Sequence, residues 1–114
     1  MGLSIMPSPN FRSRRSSHWP AARRAHLNLQ PECQVCGARE LVEVHHVLPY
    51  HLFPDLELAA GNLITLCDPP GPTNHHLETG HLGNWLNWNP QVREDCERAR
   101  RQLKKLQNDR AGEK

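Results

Sequence analysis

Leu41-Val42-Glu43-Val44-His45-His46-Val47 is the stretch that decides the fold. Leu41, Val42, Val44 and Val47 make a short strand that closes on paired histidines. Cys33-Gln34-Val35-Cys36-Gly37 precedes it, with glycine free to take a positive φ in a tight turn. Asn62-Leu63-Ile64-Thr65-Leu66-Cys67 follows it as a second strand, and then comes Asn74-His75-His76. Successive side chains on a strand point to opposite faces. His45 and His46 are therefore expected to serve two surroundings, one to hold a cation and one to take a proton.

The chain has 114 residues, enough for one small domain. Hydrophobic residues make up 37% and aromatics 5%, which predicts a thin core that needs a staple. Nothing resembles a secretory leader, and no apolar run approaches the roughly 20 residues of a membrane span. A cytoplasmic, reducing setting is therefore expected, without a membrane partner. There Cys-x-x-Cys reads as metal chemistry rather than a disulfide. Zinc takes four thiolate or imidazole ligands tetrahedrally. Cys33, Cys36 and Cys67 supply three. His75 is the preferred fourth, with His76 and Cys96 as rivals. Cys96 is read as a small buried hydrophobe.

Charge is unevenly placed. Residues 1–24 carry five arginines (Arg12, Arg14, Arg15, Arg23 and Arg24) and no acid. Residues 25–89 hold one arginine and seven acids, and residues 90–114 hold eight Lys/Arg against five acids. Basic ends around an acidic, histidine-rich centre suit a protein that grips a polyanion at its edges, with those five arginines as contacts.

The organisation follows. A flexible basic arm is expected over 1–17, a single domain over 18–108 and a frayed tail over 109–114. Trp19-Pro20 opens a helix, with Trp19, Ala22, His26 and Leu29 on one face. A long loop covers 48–61. A short helix starts near Thr73 or Asn74, and Gly80 or Gly83 interrupts it. Val92, Cys96, Ala99, Leu103 and Leu106 mark an amphipathic helix of about 18 residues. It either packs on the domain or makes a dimer, so monomer and dimer both stay open. Trp85 and Trp88 are read as core before base-stacking residues.

Glu43-Val44-His45-His46-Val47-Leu48-Pro49, then Asn62 to Cys67, then His75-His76, resemble the HNH endonuclease family, in particular zinc-stapled phage and bacterial members. His76 to Trp85, Asn89-Pro90 and Trp19-Pro20 extend the resemblance to about residues 17–100. It implies an α+β, ββα-metal (treble-clef-like) fold with a structural zinc, an N-terminal helix and a C-terminal amphipathic helix. It implies cleavage of DNA with a divalent cation, expected to be magnesium, manganese or a similar ion. His45 and His76 would be ligands of that cation, with His81 a candidate third. His46 would be the general base, and Asn62 would brace the loop that holds it. His75 stands where the family usually has a fourth cysteine. His76 and His81 lie five apart, which on a regular α-helix turns them to different faces. The rival reading is a zinc-bound treble-clef module that binds nucleic acid without cutting it.

Overall fold

The computed structural model describes residues 15–71 and 73–111. Its order is a helix α1 (Trp19–Leu29), strands β1 (Val42–His46) and β2 (Leu63–Cys67), a π-helical turn (His76–Gly80) and a helix α2 (Val92–Ala111). Two short 3-10 turns, Pro54–Leu56 and Ala60–Asn62, lie in the loop between the strands. This small α+β arrangement, with a Cys3His cluster able to hold zinc, is consistent with the expected ββα-metal fold.

β1 and β2 pair antiparallel, from Val42 against Cys67 to His46 against Leu63. Leu41 stands outside the ladder, exposed and at φ +54°, so β1 begins one residue later than the apolar run suggests. β2 is buried along its whole length because helices cover both sides. On one side Trp19, Val44 and Leu63 form a small core, joined by Ala22 and Leu27. On the other, Ile64, Leu66 and Cys67 pack with Cys33, Val35, Val92 and Cys96, and Ala99 and Leu103 of α2 lean on them.

Pro20 sits in the first turn of α1, where its missing N–H costs nothing. The cap comes from Ser16 rather than from the side chain of His18: Ser16 O accepts from Trp19 N–H (3.0 Å) and Ser16 Oγ from His18 N–H (3.1 Å). Trp19, Ala22 and Leu27 turn inward, whereas Leu29 is 83% exposed. The buried stripe thus leans toward Leu27, and Leu29 falls off its edge. Gln30 ties the helix end to β2. Its Oε1 accepts from Thr65 N–H (2.8 Å) and its carbonyl from Thr65 Oγ1 (2.6 Å).

α2 follows the expected stripe from Val92 to Leu103, but Leu106 is exposed. It continues to Ala111, past the expected frayed boundary at 108. Arg100 Nη2 reaches Glu32 Oε1 (3.1 Å), and Glu32 Oε2 also receives Arg39 (3.3 Å). Arg93 donates to the carbonyls of Gly61 and Leu63. These contacts fasten the helix to the cysteine turn and to the start of β2. Among the described residues, no helix is long and apolar enough to cross a membrane.

Candidate functional site

Cys33, Cys36, Cys67 and His75 offer four ligand atoms within 4.8 Å of one another. The cysteine turn is closed by Cys33 N–H to Ala38 O (2.8 Å) and Gly37 N–H to Cys33 O (2.9 Å), with Gly37 at φ +80°. Gln34 N–H also bonds Thr65 O (3.0 Å), which fixes the turn against the edge of β2. Cys36 Sγ and Cys67 Sγ are 3.9 Å apart. His75 Nδ1 lies 3.3 Å from Cys67 Sγ and 3.7 Å from Cys33 Sγ. A tetrahedron with zinc–sulfur bonds of about 2.3 Å has edges of about 3.6–3.8 Å, so the cluster has the size of a zinc cage. His75 is the histidine that the fold brings here. Cys96 is buried in the core near Cys33, and His76 belongs to a second group. Burial pushes the thiols of Cys67 and Cys96 up to about 12.

That second group is His45, His76 and His81, again with ligand atoms within 4.8 Å. The backbone answers the five-residue spacing. His81 N–H bonds His76 O (3.1 Å), a π-type i→i+5 bond, and also Leu77 O (3.2 Å). A π turn stacks residue i+5 over residue i, so both imidazoles reach the same place. Asn74 Oδ1 caps the turn by accepting from Leu77 N–H (2.9 Å). Gly80 is buried against His45, and a Cβ there would stand 3.1 Å from His45 Cε1 and 3.0 Å from Leu66 Cδ1.

Hydrogen bonding selects the free nitrogens. Asn87 O can only accept, so His81 Nδ1 (2.7 Å away) carries the proton and its Nε2 keeps the lone pair. That Nε2 faces His76 Nε2 at 3.3 Å. His45 Nε2 is buried without a hydrogen-bond partner. Burial holds His45 down at about 2 and His76 at about 4, with the neighbouring histidines adding to both. At neutral pH His45 and His76 are therefore uncharged imidazoles, the state a metal requires of its ligands. His76 Nδ1 lies 3.8 Å from Asp68 Oδ1, too long for a hydrogen bond but near enough to favour a bound cation.

His46 faces the other way. Its ring packs on Trp19 (centroids 4.6 Å) and Tyr50 (5.6 Å). Its Nε2 donates to Glu57 O (2.9 Å), which leaves the lone pair on Nδ1. Burial lowers its pKa, against the opposing effect of the Glu57 bond. Asn62 is fully engaged with the loop ahead of it. Oδ1 accepts from Leu48 N–H (2.9 Å), and Nδ2 donates to Leu48 O (3.0 Å) and Leu56 O (3.1 Å). The loop that carries Glu57 and Tyr50 is thereby pinned beside His46.

The arginines divide. Arg12 and Arg14 lie outside the described residues. Arg15 sets its guanidinium over Trp19 (4.8 Å) and Tyr50 (4.7 Å). Ser16 N–H bonds Glu57 Oε2 (2.8 Å), so the end of the expected flexible arm is docked. Arg23 pairs with Glu43 (3.4 Å), and Arg24 is exposed. Trp85 is not core: it is 52% exposed, with its ring against His76 and His81. His45, His46, His76 and His81 share one cleft of about 210 Å³ with Arg15, Tyr50, Trp85 and Trp88.

Residues 33–69 match the HNH endonuclease family model. The match supports the resemblance and points to a metal-dependent, nucleic-acid-related function. It spans both strands with Cys33, Cys36, His45, His46, Asn62 and Cys67. It stops short of His75, His76 and His81, whose grouping with the HNH segment rests on geometry. No curated protein and no solved structure matches the chain.

Sequence reasoning missed three contributors. Asn89 is buried and links the π turn to α2, donating to Thr79 O (3.0 Å) and Asp95 Oδ2 (2.7 Å). Asp68 is held by Asn74 Nδ2 (2.7 Å) beside His76. Tyr50 covers His46. Asn89-Pro90 was visible as a motif, but nothing in the sequence tells which carbonyl an asparagine will reach.

Proposed function

We propose that the protein is an HNH endonuclease that hydrolyses DNA phosphodiester bonds with a divalent cation. His45, His76 and His81 hold the cation, His46 is the general base, and Cys33, Cys36, Cys67 and His75 hold a structural zinc. The observation that carries this reading is the division between neighbours. His45 Nε2 is buried and unpartnered within a three-imidazole group. His46 opens the same cleft from the opposite side of the strand, with its tautomer set by Glu57 O. A treble clef that only bound nucleic acid would have no use for this second group.

A bound divalent cation would offset the charge of the phosphodiester and stabilise the leaving 3′ oxygen. His46 Nδ1 takes the proton of the attacking water, since Nε2 is committed to Glu57 O. Asn62 keeps that carbonyl in place through the loop. Arg15, and Arg12, Arg14, Arg23 and Arg24 with it, supply positive charge for the DNA backbone. An all-imidazole set suits a first-row transition metal better than magnesium, which prefers oxygen ligands.

The test is nicking of supercoiled plasmid, in parallel with manganese, nickel and magnesium. Parent protein should nick, with magnesium the weakest support. His46→Ala should lose about a hundredfold or more of the rate and keep its zinc. Equal cutting by parent and variant would reject His46 as the base.

A further inference from the structure

We infer that the cleft takes an unpaired nucleotide, with Trp85 as the platform on which its base stacks. This rests on the nuclease reading for the position of the phosphate. Trp85 is half exposed beside the three-imidazole group, its ring 5.1 Å from His76 and 4.9 Å from His81 by centroids. Leu86 next to it is 86% exposed and lines the same cleft. The same lining includes Arg15, whose guanidinium lies over the rings of Trp19 and Tyr50, and Glu43, whose carboxylate pairs with Arg23. The cleft thus joins an exposed indole, a guanidinium and the imidazoles in one lining. A single strand offers matching chemistry: a base face for the indole and phosphates for the cation and the guanidinium. A closed duplex hides its base faces in the stack, so an indole reaches one only where a base is unpaired.

The assay is binding, kept apart from cutting. Zinc-loaded His46→Ala protein is titrated with a fluorescent oligothymidylate and with a blunt duplex of equal length. The single strand should bind more tightly. Adding Trp85→Ala should weaken the single strand at least about fivefold and leave the duplex unchanged. Trp85→Phe, which keeps a ring face, should recover most of the loss. Unchanged single-strand affinity in Trp85→Ala would overturn the inference. So would equal loss on both ligands, which would mark a disturbed metal group, or failure of Trp85→Phe to recover. Plasmid nicking by the parent stands or falls separately. Absent nicking with intact, Trp85-dependent binding would sink the nuclease and spare the platform.

Discussion

At Gly80 a single hydrogen in place of a methyl group lets the His45 ring lie against the π turn. Gly80→Ala would press a Cβ to within 3.0–3.2 Å of Leu66 and His45. Neither neighbour has room to move, because both are buried. The expected cost is about 1–3 kcal/mol of stability. Thermal unfolding should show it, and titration with nickel should show weaker binding as His45 shifts. Unchanged melting and metal affinity would mean that the ring is not seated as described. His46 gives a pH prediction. In the proposed reaction its neutral form is the base, and burial lowers its pKa. Activity should therefore hold on the alkaline side of about 6.5, the ordinary histidine value, and fall only at more acidic pH. Tyr50→Ala admits water to the ring and should move that acid limb upward. A limb that stays at the same pH would show that Tyr50 does not keep His46 dry.

The elements show which parts of the fold could be read from the sequence. Alternation around Val42 and Val44 and the apolar run Leu63–Leu66 were enough to place both strands, because a period of two is a local property. The cysteine turn was legible for a similar reason, since its spacing and Gly37 encode the geometry directly. The π turn was not. Its sequence, His76-Leu77-Glu78-Thr79-Gly80, fits an α-helix equally well, and contacts from Asn74, Asn89 and His45 set its winding. Trp85 was misread because an aromatic side chain does not report which of its faces is covered. Asn89 tests the support of this region. Its amide joins Thr79 O to Asp95, and its carbonyl oxygen caps the chain at Gln91 N–H (3.0 Å). Asn89→Ala should cost about 1 kcal/mol by removing hydrogen bonds to partly buried groups. Reduced metal uptake by the three-histidine group should accompany the drop in melting temperature. A variant with parental melting and uptake would relegate Asn89 to a passive linker.

For the molecule as a whole, the two apolar clusters among the described residues are small, and β2 contributes to both. Much of the link between the cysteine turn, β2 and the chain at His75 runs through the four-ligand cluster. Removing zinc with a chelator should therefore unfold the domain rather than trim an edge. Cys36→Ser should lose tightly held zinc and cooperative melting. Cys96→Ala should retain one zinc per chain, because that thiol packs in the core and is no part of the cluster. Loss of zinc in Cys96→Ala, with retention in Cys36→Ser, would reverse the ligand assignment.

The π turn also bears on how such sites are searched for. A pattern that demands two histidines four residues apart, as an α-helix would, passes over His76 and His81. The backbone has absorbed one extra residue without moving the imidazoles apart. A five-residue spacing therefore does not separate two ligands once the turn is π-wound, and a survey that allows either count will recover sites that a fixed interval discards.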